Sequence, residues 1–271
     1  MPIVAPSRGD LAKVAQYLSV DSGPDMPRTE LRRYLRTYLK RENAPHLPTL
    51  NWDEDPLQEL ISEVGRKRRA ELGEDDPNAI LASLRLAVYV TTSWTNLLED
   101  ALTEAGRPPE VLYFDWHRQR QFDDYELPEI SPDHPLVYHL FGTIDRPESV
   151  VLTEDDYFAW LRAWIKRVDK SESIPDSVKA ALTDRSLLFL GYSLDDWEFR
   201  VLFQSIKSFE GNDLLRDRKH VGVQFRPEAV TIDRDSAQDY LERYFGEDRV
   251  DIYWGTCSEF LQELRDSKVG I

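Results

Sequence analysis

The sequence predicts an α/β protein, a Rossmann-like doubly wound parallel sheet with a mostly helical N-terminal part. Three observations carry that expectation. From residue 86 onward, short apolar runs alternate with helical patterns of about 10 to 15 residues. Such spacing implies parallel pairing, because a crossover helix must cover the sheet face between consecutive strands. Before residue 86 no strong strand pattern occurs and the apolar residues recur at helical spacing instead. Finally, 271 residues with 41% hydrophobic and 11% aromatic content can fill one large core. The expected division is a helical region over 1–80, packed on a Rossmann-like core over 81–271, as one domain overall.

The elements follow in order. Leu11, Val14, Ala15 and Leu18 mark a first helix. Leu31, Tyr34, Leu35, Tyr38 and Leu39 mark a second, after the Asp21-Ser22-Gly23-Pro24 break. A proline-punctuated stretch leads to a third helix over 57–72, ending near Gly73. Leu86 to Thr91 reads as a strand buried on both faces. A helix from Trp94 to Ala105 is closed by Gly106. Strands at Val111 to Phe114 and Leu136 to Phe141 flank a polar loop, and Gly142 stops the second. Thr153 caps a helix reaching about Val168, whose three opening acids favour the positive end of its dipole. Ser186 to Gly191 is the strongest strand pattern, followed by a helix through Lys207. Strands at 220–225 and 250–254 enclose a helix at 236–245, and a last helix spans 258–265.

Composition excludes several functions. A net charge of −16 repels phosphate backbones, so no direct nucleic-acid contact is expected. The basic run Arg66-Lys67-Arg68-Arg69 reads as a solvated helix face. The lone Cys257 permits neither an internal disulfide nor a four-cysteine zinc site and reads as a small packed residue. Loop acids around His117 suggest no metal. No run of about 18 apolar residues and no signal-peptide pattern occurs, so a cytoplasmic protein without membrane contact is expected.

In a doubly wound sheet, ligands bind beyond the carboxyl ends of the strands. Thr91-Thr92-Ser93, His139 to Gly142, and Gly191-Tyr192-Ser193 are the strand ends that stand out. Their amides and hydroxyls suit an anion or a ribose. Ser93 and Ser193 equally suit ordinary helix caps, which every such helix needs.

Five segments in order make the chain recognisable. They are Tyr89-Val90-Thr91-Thr92-Ser93-Trp94-Thr95-Asn96-Leu97-Leu98-Glu99, Val137-Tyr138-His139-Leu140-Phe141-Gly142, Leu152-Thr153-Glu154-Asp155-Asp156-Tyr157, Leu188-Phe189-Leu190-Gly191-Tyr192-Ser193-Leu194-Asp195-Asp196-Trp197, and Phe199-Arg200-Val201-Leu202-Phe203. The series resembles the sirtuin-like domain of bacterial antiviral NAD hydrolases. That resemblance implies NAD or ADP-ribose as ligand, with Thr91, Thr92, Gly142, Gly191, Tyr192 and Ser193 as contacts, and a protein partner or homo-oligomer. It also implies chemistry that this chain departs from. Ser93 stands where the family has the asparagine that orients the ribose or the attacking water, and Phe141 where it has the histidine base. No Gly-x-Gly occurs among twelve glycines, and the chain starts where relatives have completed their glycine-rich loop and its strand. Each loss costs about two to four powers of ten in rate. The expectation is therefore a degenerate domain, catalytically impaired, that binds a nucleotide weakly or serves as a regulatory or interaction module. The alternative is an active NAD glycohydrolase with His139 as surrogate base. On a continuous strand His139 shares Phe141's side, displaced by about 6.6 Å. Asn96, one turn past Ser93, reads as cap support or a solvent-facing residue. Deacetylase activity is more distant, because the structural zinc of classical sirtuins has no ligands here.

Overall fold

The computed structural model describes residues 10–117, 128–168, 174–192, 194, 197–207, 218–225, 234–246 and 248–267. In chain order the elements are α1 (Leu11–Ser22), α2 (Met26–Asn43), α3 (Leu57–Leu72), α4 (Pro77–Ser83), β1 (Val88–Thr91), α5 (Leu97–Glu104), β2 (Glu110–Tyr113) and β3 (Leu136–His139). Then come α6 (Glu154–Val168), α7 (Asp176–Asp184), β4 (Leu188–Phe189), α8 (Trp197–Lys207), β5 (His220–Gln224), α9 (Arg234–Gly246), β6 (Val250–Trp254) and α10 (Cys257–Asp266). The strands form two three-stranded parallel sheets, ordered β1-β3-β2 and β4-β5-β6, with helices between successive strands except β2 and β3, between which no helix is found among the described residues. This is the expected Rossmann-like α/β architecture.

Side-chain alternation sorts the first half-sheet into two faces. Val88, Val90, Leu112, Leu136 and Tyr138 join Phe114, Trp160, Trp164, Val178 and Leu182 in the largest apolar cluster. Tyr89 and Val137 face Ala82, Ala101 and Leu102 on α4 and α5. The second half-sheet has its own cluster, in which Phe189, Phe199, Phe203 and Phe245 meet. The N-terminal helices pack onto the core through Ala15 against Val150 and Leu152, and through Leu57 and Ile61 against Ile144.

Where end signals are local, the helices run as expected. The Thr153 hydroxyl accepts from the Asp156 amide at 3.0 Å, and the Asp156 carboxylate accepts from the Thr153 amide at 2.9 Å. Arg28 of α2 then donates to that carboxylate at 2.7 Å, which ties α2 to the start of α6. On α6, Trp160 and Trp164 are fully buried and stacked, whereas Phe158 and Ile165 are exposed. Core packing thus takes one face of the aromatic helix.

Other expectations need correction. Helix α5 starts at Leu97, not Trp94, because hydroxyls of the preceding loop satisfy its backbone locally. Among the described residues the 186–191 strand pairs over Leu188–Phe189 with β5 alone, and Gly191 turns the chain with φ +74. The short helices α4 and α7 escape a periodicity reading because each spans two turns or so. The basic run is not wholly solvated. Arg66 and Lys67 pair with Glu63 and Glu71 on the surface, but Arg69 is buried and makes a forked pair with Glu104 at 2.7 and 2.8 Å. Gly65 lies one turn before Arg69, and a Cβ there would collide with the Leu97 side chain, so α3 and α5 touch almost backbone to side chain.

The Arg69 hydrogen bonds hold the Glu104 carboxyl below the usual carboxylate range. A depressed folded value adds stability above the range in which an unfolded glutamate titrates, and that stability is lost as acid protonates the folded group. Glu104→Gln should therefore lower the melting temperature more at pH 7 than at pH 3. Circular dichroism melts at the two pH values check this, and equal losses at both would contradict it.

Candidate functional site

The strand ends of the two half-sheets converge. The Tyr192 hydroxyl, just past β4, lies near the Thr92 side chain, just past β1. Burial pushes the Tyr192 phenol above its usual range, and the nearby Thr92 side chain acts in the other direction. Thr91, Thr92 and Tyr192 are therefore brought together. Ser193 lies outside the described residues. Gly191 is exposed, and a Cβ on it would meet open space. Its amide donates to Cys257 Sγ at 3.1 Å, which gives that cysteine, the first residue of α10, a packing contact.

The loop after β1 is a chain of hydroxyl turns. The Thr91 hydroxyl accepts from the Ser93 amide at 3.0 Å, and the Ser93 hydroxyl accepts from the Thr95 amide at 3.3 Å. The Ser93 and Thr95 hydroxyls lie 2.9 Å apart. Ser93 is thus a turn residue, not the cap of α5; that position belongs to Asn96. The Asn96 amide group is turned inward, donating to Ser62 at 2.6 Å and to Asp100 at 3.1 Å. It neither faces solvent nor reaches the strand end as an asparagine at position 93 would.

His139 is 1% exposed. Its Nδ1 lies 2.8 Å from the Ser93 carbonyl and its Nε2 lies 2.5 Å from Glu99 Oε1. Both ring nitrogens are engaged. The expectation that His139 and Phe141 share a side also needs correction. The strand ends at His139, and the Phe141 ring packs edge-on against Tyr157 and Trp160, at 5.6 and 5.0 Å between centroids. That places Phe141 with α6, whereas His139 faces α5. Gly142 then turns the chain with φ +79, buried against Ser149, whose carbonyl a Cβ would strike. Its glycine requirement has this structural cause beside any ligand role.

Glu99 escaped the sequence reading as one acid in the first turn of a helix, where such residues have a dipole reason. The available signal was its spacing: it lies three residues before Leu102, on the apolar face of α5. The His117 ring lies 3.7 Å from that of Trp116 at a 31° tilt, and its Nε2 sits 3.1 Å from the Glu148 carbonyl oxygen. Among the described residues no group of three or more His, Cys, Asp or Glu is arranged to hold a metal, and no helix is long and apolar enough to cross a membrane. An open hollow of about 420 Å³ lies on α9, lined by Ser236, Asp239, Tyr240, Arg243 and Tyr244, none of them a strand-end residue.

Fold and strand ends together define a class: a parallel α/β domain whose loops after β1, β3 and β4 lie beyond the carboxyl ends of the strands. The chain belongs to the SIR2-like domain family, whose sequence profile matches residues 87–247. Among curated relatives, the NAD(+) hydrolase ThsA of Cytobacillus dafuensis is 27% identical over 165 residues, covering 58% of this chain and 30% of that protein. ThsA of Enterococcus faecium is 29% identical over 174 residues, or 64% and 31% of the two chains. ThsA of Bacillus cereus is 24% identical over 205 residues, or 76% and 38%. The chain thus spans roughly a third of the length of these relatives.

Proposed function

We propose that this chain is a SIR2-like domain that binds NAD or ADP-ribose weakly at the β1 and β4 strand ends and is impaired in hydrolysing it. The observation that carries the reading is Phe141. At the family's histidine position stands a hydrocarbon ring wedged between Tyr157 and Trp160, unable to move a proton. The nearby imidazole of His139 is buried with both nitrogens bonded, so it is badly placed to take over. Ligand binding has support of its own. The Ser93 hydroxyl and the Gly191 backbone are exposed, and the neighbouring residues Thr92 and Tyr192 lie close to each other. When bound, NAD supplies the glycosidic bond that an active relative cleaves. Here the residues offer hydroxyl and backbone contacts to a ribose or a phosphate. The relatives' name, NAD(+) hydrolase, supports the ligand class.

In this reading the domain is a cytoplasmic nucleotide-binding or regulatory module of a bacterial defence-type system, working with a protein partner or a second copy of itself. The test is incubation of the purified chain with an etheno-NAD analogue, with ADP-ribose binding followed by calorimetry. The expected result is a flat fluorescence trace together with measurable ADP-ribose binding. Fluorescence growth that depends on the unmodified chain would overturn the impaired reading in favour of an active NAD glycohydrolase. Absence of binding would overturn the nucleotide reading.

A further inference from the structure

The contact between Glu99, His139 and Ser93 has a direction. The Ser93 carbonyl can only accept, so the imidazole carries a hydrogen on Nδ1 and donates it there, at 2.8 Å. Nε2 and Glu99 Oε1, at 2.5 Å, then share one further proton. Glu99 Oε2 is buried with no hydrogen-bond partner in the structure. A buried carboxyl with one oxygen unsatisfied is a poor device for stability, and an apolar pair of similar volume would hold the core as well or better. What the pair does achieve is positional. The carbonyl it grips belongs to the peptide between Ser93 and Trp94, in the middle of the hydroxyl-turn loop. Fixing that peptide plane fixes the exposed Ser93 side chain and the amides around it.

We propose that Glu99 and His139 are positioning residues for the loop after β1. Glu99 orients the imidazole, the imidazole holds the Ser93 carbonyl, and the loop is thereby kept in the conformation that meets an ADP-ribosyl group. The ligand half of this statement rests on the functional reading above; the loop half does not. Neither residue touches the ligand, so both act through Ser93.

The test uses the full chain and three variants: Glu99→Leu, Glu99→Gln, and the apolar double replacement Glu99→Leu with His139→Leu. Glutamine can still donate to Nε2 of a neutral imidazole and so keeps the grip. Hydrogen exchange over residues 92–96 is expected to quicken about tenfold in Glu99→Leu and in the double variant. It should stay near the unmodified rate in Glu99→Gln, with β5 unchanged in all three. ADP-ribose affinity should fall about tenfold in the leucine variants and recover in the glutamine one. If the unmodified chain does not bind ADP-ribose, the functional reading fails and the loop exchange alone decides the positioning role. Should Glu99→Leu not fold, the double variant, which leaves no unpaired charge, carries the same comparison. Loop exchange equal in all folded variants would overturn the proposal. So would glutamine behaving like leucine.

Discussion

Gly142→Ala is expected to destabilise the chain by about 3 to 5 kcal/mol. Two independent costs combine. Gly142 has φ +79, where an L-residue bearing a Cβ is strained. The new Cβ would also fall inside the carbonyl of Ser149 and within 2.5 Å of its hydroxyl oxygen. Ser149 cannot yield easily, because it is tied on every side. Its hydroxyl accepts from the Thr143 amide at 3.0 Å and donates to the Arg146 carbonyl at 2.7 Å, while its carbonyl accepts from Trp116 Nε1 at 2.9 Å. Relief would require moving the whole 142–149 corner. Urea denaturation followed by tryptophan fluorescence measures the effect, and a loss below about 1 kcal/mol would show that the corner is softer than this packing implies.

Trp160→Ala should cost about 3 to 5 kcal/mol, and Trp160→Phe about 1 to 2. The indole is fully buried, stacks on Trp164 at 5.6 Å, meets Phe114 and Phe141 edge-on, and donates from Nε1 to the Leu140 carbonyl at 2.7 Å. Alanine removes the ring and leaves a cavity between β3 and α6. Phenylalanine keeps most of the volume but leaves that carbonyl without its donor. The difference between the two variants separates packing from hydrogen bonding. Equal losses by chemical denaturation would mean that the Leu140 bond dominates. Trp160→Ala also removes one wall of the slot that holds Phe141, so a histidine introduced at 141 needs Trp160 in place to be held at a defined position.

How much of this was legible in advance depended on the range of each signal. The bounds of α3 and α6 could be read because their ends are set by neighbours in sequence: proline and glycine around α3, and Thr153 with Asp156 at α6. The start of α5 could not. Thr91, Ser93 and Thr95 each offer a hydroxyl that serves a turn as well as a cap, and only the finished loop shows which amides they take. The site divides the same way. Positions 93 and 141 could be assigned by resemblance, with the missing asparagine and histidine visible as letters. The meeting of Thr92 with Tyr192, a hundred residues apart, has no local trace. Alternation along a strand put His139 and Phe141 on one side, a rule that lapses once the ladder stops and a glycine turns the chain.

The amino-acid sequence by itself determined the class of protein: alternating apolar runs and helical spacings leave a parallel α/β sheet as the way to bury both sheet faces, and the ordered motifs mark its family. Tertiary structure alone decided what the buried polar groups do. Glu99 carries no assigned role in the sequence, and His139 reads as a spare base, until packing removes both from water. Once there, each must find a partner, and the partners within reach are each other and the Ser93 carbonyl.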